Sequence, residues 1–108
     1  MEIRVKKEGR RAEIFLKGEL DHHGAKGLTL QLEREIEILL PLHLILDFTD
    51  VTFMDSSGIA VVLQTAKECR NLGCALSVCG VGRQAMRVLS AAGVPKLVPV
   101  TERGRTNV

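Results

Sequence analysis

Apolar and polar residues alternate from the first residues onward. Ile3 and Val5 share one side of residues 2–7 while Arg4 and Lys6 share the other, the period of a half-buried strand. Glu8-Gly9-Arg10 turns the chain. Over residues 11–17, Ala12, Ile14 and Leu16 face one way and Glu13, Phe15 and Lys17 the other, so the two runs predict an antiparallel hairpin. Phe15 stands on the more polar face and calls for cover from a helix or a partner. Gly18 ends the second run. Residues 19–24 form a connection in which Asp21 is a helix cap and Gly24 disfavours a helical start before Ala25. The period then lengthens: Leu28, Leu32, Ile36 and Leu39 make one helical stripe, opposite Lys26, Gln31, Glu33, Arg34 and Glu37. Pro41 closes this helix, predicted over residues 25–39, because its ring disfavours a helical residue before it.

Residues 42–48, L-H-L-I-L-D-F, are the most apolar short run and predict the central strand, with Thr49-Asp50 as the turn after it. His43 alternates with core positions there and is expected to be buried or covered by a helix. A second helix is expected over residues 57–72, with Ile59, Val62, Leu63, Ala66 and Cys69 inward and Gly73 as its terminator. Residues 74–79, C-A-L-S-V-C, predict another strand. A third helix follows over residues 83–92, with Ala85, Val88, Leu89 and Ala92 inward, and residues 97–100 predict an edge strand that tolerates Pro99. The order β-β-α-β-α-β-α-β is that of an α/β domain: one mixed β-sheet with an N-terminal hairpin, parallel crossovers after it, and helices mainly on one face. The domain is expected over residues 1–100, with 101–108 as a short polar C-terminal tail.

Composition narrows the function classes. A chain of 108 residues is one domain. Aromatics are 3% against 45% apolar residues, so the core is aliphatic and the stacking platforms of single-strand nucleic-acid binders are missing. The net charge of +2, from 15 basic and 13 acidic residues, gives no electrostatic footprint for nucleic acid. No segment approaches the roughly 18 consecutive apolar residues of a spanning helix, and M-E-I-R-V-K lacks a signal-peptide core. The expectation is a cytoplasmic protein without a membrane or nucleic-acid partner. Cys69, Cys74 and Cys79 are odd in number and spaced C-x4-C-x4-C, which fits reduced structural thiols better than a disulfide framework or a zinc site.

The candidate chemistry gathers at Phe53-Met54-Asp55-Ser56-Ser57-Gly58, where an apolar strand gives way to a helix. Asp55 and Ser56 are both good caps, and Gly58 permits a close approach in the first turn. A hydroxyl at this place lies beside unpaired N–H groups and the positive end of the helix dipole, where a phosphate finds donors. His22 and His23, with Asp21 and Ser56, bring a hydrolytic triad to mind. The chain has no G-x-S-x-G elbow, however, and a neighbouring Asp does not orient a ring as a buried triad acid does. Asp21, Asp47 and Asp55 suggest magnesium, but Asp47 reads as a strand end. Gly80-Val81-Gly82 lacks the third glycine and the following acid of a dinucleotide fingerprint. Arg83 and Arg87, four apart on the third helix, form either a solvated surface or a face for phosphate or an acidic partner. No catalytic group, cofactor or metal is expected.

The pairing of Gly18-Glu19-Leu20-Asp21-His22-His23 with Phe53-Met54-Asp55-Ser56-Ser57-Gly58, 35 positions later, resembles the anti-sigma-factor antagonists of the STAS domain family. The likeness is greatest to the sporulation branch that counteracts the anti-sigma F kinase, and it covers roughly residues 3–100. It implies a non-enzymatic switch that, unphosphorylated, binds an anti-sigma serine kinase with adenine nucleotide bound and causes release of the sporulation sigma factor. It also implies that Ser56 is the phosphorylation site, which nothing in the pattern itself singles out over Ser57. A serine phosphatase would act on the phosphorylated form. The surface implied for partner binding comprises Asp21, His22, His23, Asp55, Ser56, Ser57 and Gly58, on a monomer or weak dimer. Other STAS roles, in the general-stress branch or attached to a transporter, are the alternatives. Relatives commonly carry a further C-terminal helix, for which T-E-R-G-R-T-N-V is too short and polar.

Overall fold

A computed structural model describes residues 1–104; residues 105–108 of the expected tail lie outside the described residues. The first two strands, β1 (Glu2–Glu8) and β2 (Arg11–Leu20), pair as the predicted hairpin. A short helix α1 (His22–Ala25) and a longer α2 (Leu28–Leu39) lead to β3 (His43–Met54). The chain continues through α3 (Ser56–Asn71), β4 (Ala75–Val81) and α4 (Arg83–Ala91). A 3-10 turn (Val94–Lys96) then precedes β5 (Val100–Glu102). The five strands lie in the order β1-β2-β3-β4-β5, and every pairing after the hairpin is parallel. Right-handed crossovers that always step in the same direction place α2, α3 and α4 on one face. There Ile14, Leu16, Leu44, Leu46 and Phe48 meet Leu32, Ile36, Val62 and Leu89 in one core that is aliphatic apart from Phe48.

The other face of the sheet is uncovered by helices, and several expectations change for that reason. His43 is exposed on it, with Nε2 3.1 Å from Ser77 Oγ on β4, rather than buried. Phe15 is not covered by a helix; the Arg4 guanidinium lies 5.3 Å from its ring centroid, within cation–π range. Ile45 stays only 6% exposed on this side, between Glu13 and Ser77 in register. Cys79 also lies here, and burial together with the nearby Asp47 carboxylate pushes its thiol up to about 11.

Helix boundaries follow local chemistry. The expected helix over residues 25–39 starts only at Leu28, because Gly27 takes a left-handed conformation (φ 75°) before it, and the expected connection over residues 19–24 contains α1, with Gly24 inside it. α3 buries Gly58, Val61, Val62, Thr65 and Cys69, a stripe rotated from the expected one, and leaves Leu63 exposed. Thr65 is tolerated inside because its hydroxyl donates to Val61 O at 2.8 Å. The helix closes in a Schellman turn: Cys74 N–H donates to Cys69 O (2.7 Å) and Gly73 N–H to Arg70 O (3.3 Å). That turn brings two thiols together, and burial with the neighbouring Cys74 raises Cys69 to about 12. All three cysteines are free.

The largest departure is the length of the strands around the site. β2 runs through Gly18 to Leu20, and β3 runs six residues past Phe48 to Met54, through the expected Thr49-Asp50 turn. The β2–β3 register shifts between Phe15 and Lys17 and again between Gly18 and Glu19, where β3 carries extra residues. Asp47 is therefore not a strand end; its Oδ1 accepts the Thr49 N–H at 2.8 Å inside β3. β4 pairs with β3 only as far as Asp47 opposite Cys79. Beyond that point Arg103 supplies partners, donating from Nη2 to Thr49 O (2.6 Å) and Val51 O (3.4 Å). Its own N–H donates to Val81 O at 2.7 Å. Arg103 follows β5, which sits at Val100–Glu102, later than the expected residues 97–100; Leu97 ends the 3-10 turn instead.

Arg103→Ala removes two charge-assisted donors from the open edge of β3. The expected cost is about 1–2 kcal/mol, seen as a lower urea midpoint at unchanged m. Arg103→Lys should recover only part of it, because both bonds come from the terminal Nη2 and the shorter lysine chain stops about one bond before that position. A parental midpoint for Arg103→Ala would show that water serves those carbonyls equally well.

Candidate functional site

β2 and β3 end side by side, with Leu20 opposite Met54 and Asp55 N–H donating to Leu20 O at 3.2 Å. Each strand then passes into an aspartate that caps a helix. Asp21 (φ −98°, ψ −169°) accepts the Gly24 N–H at 2.8 Å, and Asp55 (φ −113°, ψ −167°) accepts the Ser57 N–H at 2.8 Å. The two caps thus have nearly the same backbone and repeat the same bond on neighbouring strand ends. The Gly24 N–H is the main reason that the Asp21 carboxyl titrates below its ordinary 3.8, with the His23 ring a smaller contributor.

Ser56 is the first residue of α3 and is exposed, whereas Ser57 is half-buried with its N–H in the Asp55 cap. Of the two expected caps, Asp55 makes the bond. The Ser56 side chain forms no hydrogen bond among the described residues, so its hydroxyl is open to an incoming group. Gly58 is buried, and a Cβ there would run into the Met54 side chain and come within 3.0 Å of Leu20 Cδ2. A Cβ on Gly24 would strike the Glu19 carbonyl oxygen. Both motifs therefore contain a glycine that lets a helix start lie directly on a strand end.

His22 and His23 are exposed on α1, next to this surface. The Asp21 carboxylate is hydrogen-bonded to Gly24 rather than to an imidazole, so the group is not oriented as a triad. Asp47 lies lower on β3, on the open face, apart from Asp21 and Asp55. Among the described residues, no group of three or more His, Cys, Asp or Glu is arranged to hold a metal ion.

Periodicity had no means of finding Gln84. From the first turn of α4, its Oε1 accepts the Met54 N–H at 2.9 Å and its Nε2 donates to Met54 O at 2.7 Å. Gln84 thus serves the last residue of β3 as a neighbouring strand would. Beside it a cleft of about 580 Å³ is lined by Lys17, Val51, Phe53, Arg83, Gln84 and Arg103. Phe53 is 43% exposed there, and Arg83 and Arg87 are both exposed on α4.

Gly58→Ala should lower stability by about 1–3 kcal/mol, the cost of overpacking a closed site, although alanine is the better helix former. Gly24→Ala should cost at least as much despite its lesser burial, because its obstacle is a backbone carbonyl that cannot rotate away. Denaturant midpoints order the two; the reverse order would show that α1 shifts freely. The Asp21 bond has its own signature. A carboxyl whose folded pKa is depressed adds stability above its unfolded value and loses it as pH falls through the folded one. The Asp21 carboxyl resonance should therefore titrate below 3.8, with the Gly24 amide shift following it.

A family model described as the STAS domain matches residues 2–105 of the chain. The chain is 31% identical over 102 residues to the anti-sigma F factor antagonist of Paenibacillus polymyxa, covering 93% of this chain and 87% of that protein. The structure of the anti-sigma factor antagonist SpoIIAA in its unphosphorylated form is similar, with a TM-score of 0.77 at 23% identity over 92% of this chain and 87% of that one. The Bacillus cell fate determinant SpoIIAA in the phosphorylated form has a TM-score of 0.69 at 23% identity, over 92% and 90% of the two chains. With one sheet, one helical face and paired aspartate caps at the ends of two parallel strands, this chain belongs to the STAS domain family, among the relatives of the anti-sigma factor antagonists.

Proposed function

We propose that this domain is a phosphorylation-switched antagonist of an anti-sigma factor. Unphosphorylated, it binds an anti-sigma serine kinase that holds adenine nucleotide, and the sporulation sigma factor is released. The kinase then transfers a phosphate to Ser56 and lets go, and a serine phosphatase regenerates the binding form. The single observation that carries this reading is the exposed Ser56 hydroxyl at the first position of α3, flanked by the capping carboxylates Asp55 and Asp21. The family relationship and the likeness to SpoIIAA support it.

The contact surface consists of Asp21, His22, His23, Asp55, Ser56, Ser57 and Gly58, on a domain acting in the cytoplasm as a monomer or weak dimer. The domain contributes the acceptor and no catalytic group; ATP and magnesium come with the kinase. Among the described residues no helix is long and apolar enough to cross a membrane. A phosphate adds about −1.5 to −2 charges to a surface that already presents two carboxylates. Within the domain it sits at a helix start, where negative charge is favoured. Across an interface it brings repulsion and an unaccommodated dianion. The signal is then local electrostatics rather than refolding.

Incubation with the cognate kinase and ATP should place one phosphate on Ser56 and none on Ser57. Because Asp55 carries the cap, Ser56→Ala should change stability by no more than about 0.5 kcal/mol. It should remain a binder that cannot be switched off. Ser56→Asp should bind the kinase more weakly than the parent. Peptide mapping and titration calorimetry check this. Phosphate on Ser57, or unchanged kinase affinity after Ser56 phosphorylation, would overturn the mechanism.

A further inference from the structure

We infer that Gln84 is a positioning residue for the phosphoacceptor: its carboxamide fixes the main chain of Met54 and, through it, the Asp55 cap and Ser56. The inference rests on the switch reading of Ser56 and adds to it a residue outside both sequence motifs.

The need for such a residue comes from the strand lengths. β4 leaves β3 after Asp47 opposite Cys79, while β3 continues to Met54. Arg103 serves Thr49 and Val51 on that open edge, and Gln84 serves both backbone groups of Met54. A neutral carboxamide offers one acceptor and one donor side by side, as a peptide group does. Asn would be one methylene short, and an ionised Glu would set an acceptor against the Met54 carbonyl. The other side of the segment is weakened by the register shift between Gly18 and Glu19, where Val51 and Phe53 face consecutive residues of β2. Gln84 is itself held, because Ala85 and Leu89 root α4 in the core. Met54 is packed against the Gly58 backbone and Leu20. The phosphoacceptor thus begins two residues beyond a main-chain clamp that ties it to α4.

Phosphoryl transfer depends on placing the acceptor oxygen in line, and small misplacements slow the step without weakening docking. Removing the clamp should therefore act on kcat rather than on KM. Full-length Gln84→Met keeps the length and volume of the side chain but neither polar group. Gln84→Glu keeps the acceptor and loses the donor. In the protein alone, the Met54 amide of Gln84→Met should exchange about tenfold faster or more, with the Leu46 amide unchanged. With the cognate kinase, kcat for Ser56 should fall about tenfold to a hundredfold at little changed KM, with Gln84→Glu also well below the parent. Ser90→Ala, an exposed change on the same helix, should match the parent in both measurements. Parental Met54 exchange or parental kcat in Gln84→Met overturns the inference, and if that variant does not fold, the same outcome in Gln84→Glu does so. A parent that takes no phosphate on Ser56 overturns the switch reading instead, and the exchange data then decide for or against the clamp by themselves.

Discussion

A central strand that outruns its neighbour leaves backbone donors and acceptors that must be paired elsewhere, and β3 is such a strand. Its ladder to β4 stops at Asp47, yet it continues to Met54. Three side chains take over: Asp47 on Thr49 N–H, Arg103 on Thr49 and Val51 carbonyls, and Gln84 on both groups of Met54. Because side chains rather than a strand fill this edge, a cleft opens beside it, lined by Phe53, Arg83 and Arg103. The overrun also lifts the start of α3 to the rim of the sheet, where Ser56 is exposed. The same constraint thus accounts for the clamps, the cleft and the accessible hydroxyl.

The rim is ordered by a repeated unit. Two parallel strands end in register at Leu20 and Met54, each followed by a capping aspartate and each allowed close contact by a glycine, Gly24 or Gly58. Caps satisfy helix N–H groups that would otherwise be open, so a charge placed on Ser56 meets a helix start already organised around carboxylates. On the proposed reading, phosphorylation would change the charge of this surface and leave its shape as it is. That property suits a domain read by partners rather than one that rearranges.

Much of this was legible in the chain, and the failures have physical causes. The hairpin, the Leu28–Leu32–Ile36 stripe and the central place of Leu44 and Leu46 follow from periods of two and 3.6. The upper half of β3 does not. With two register shifts, its buried residues fall at Phe48, Val51 and Met54, a spacing of three that belongs to neither template. Alternation places His43 on a face of a central strand but does not say whether that face is covered, and helices cover only the other one. Gly27 delays the start of a helix that its neighbours' pattern would have begun at Ala25. The motif residues were recognisable by resemblance. Gln84 and Arg103 carry no periodic signal, since their partners are backbone groups far away in the chain.

The sheet is laid down in the order in which the chain is made, β1 to β5, each new strand joining one growing edge. During synthesis the hairpin, α2 and β3 can pair while later residues are still within the ribosome. Gln84 and Arg103, however, are made long after Met54 and Val51, and they secure the edge of the β3 end that β2 does not pair. Ser56 therefore emerges early but acquires its surroundings late. A nascent or truncated chain ending before Arg83 would have the motif without these bonds, so the fixed geometry of the β3 end depends on residues made some thirty to fifty positions later.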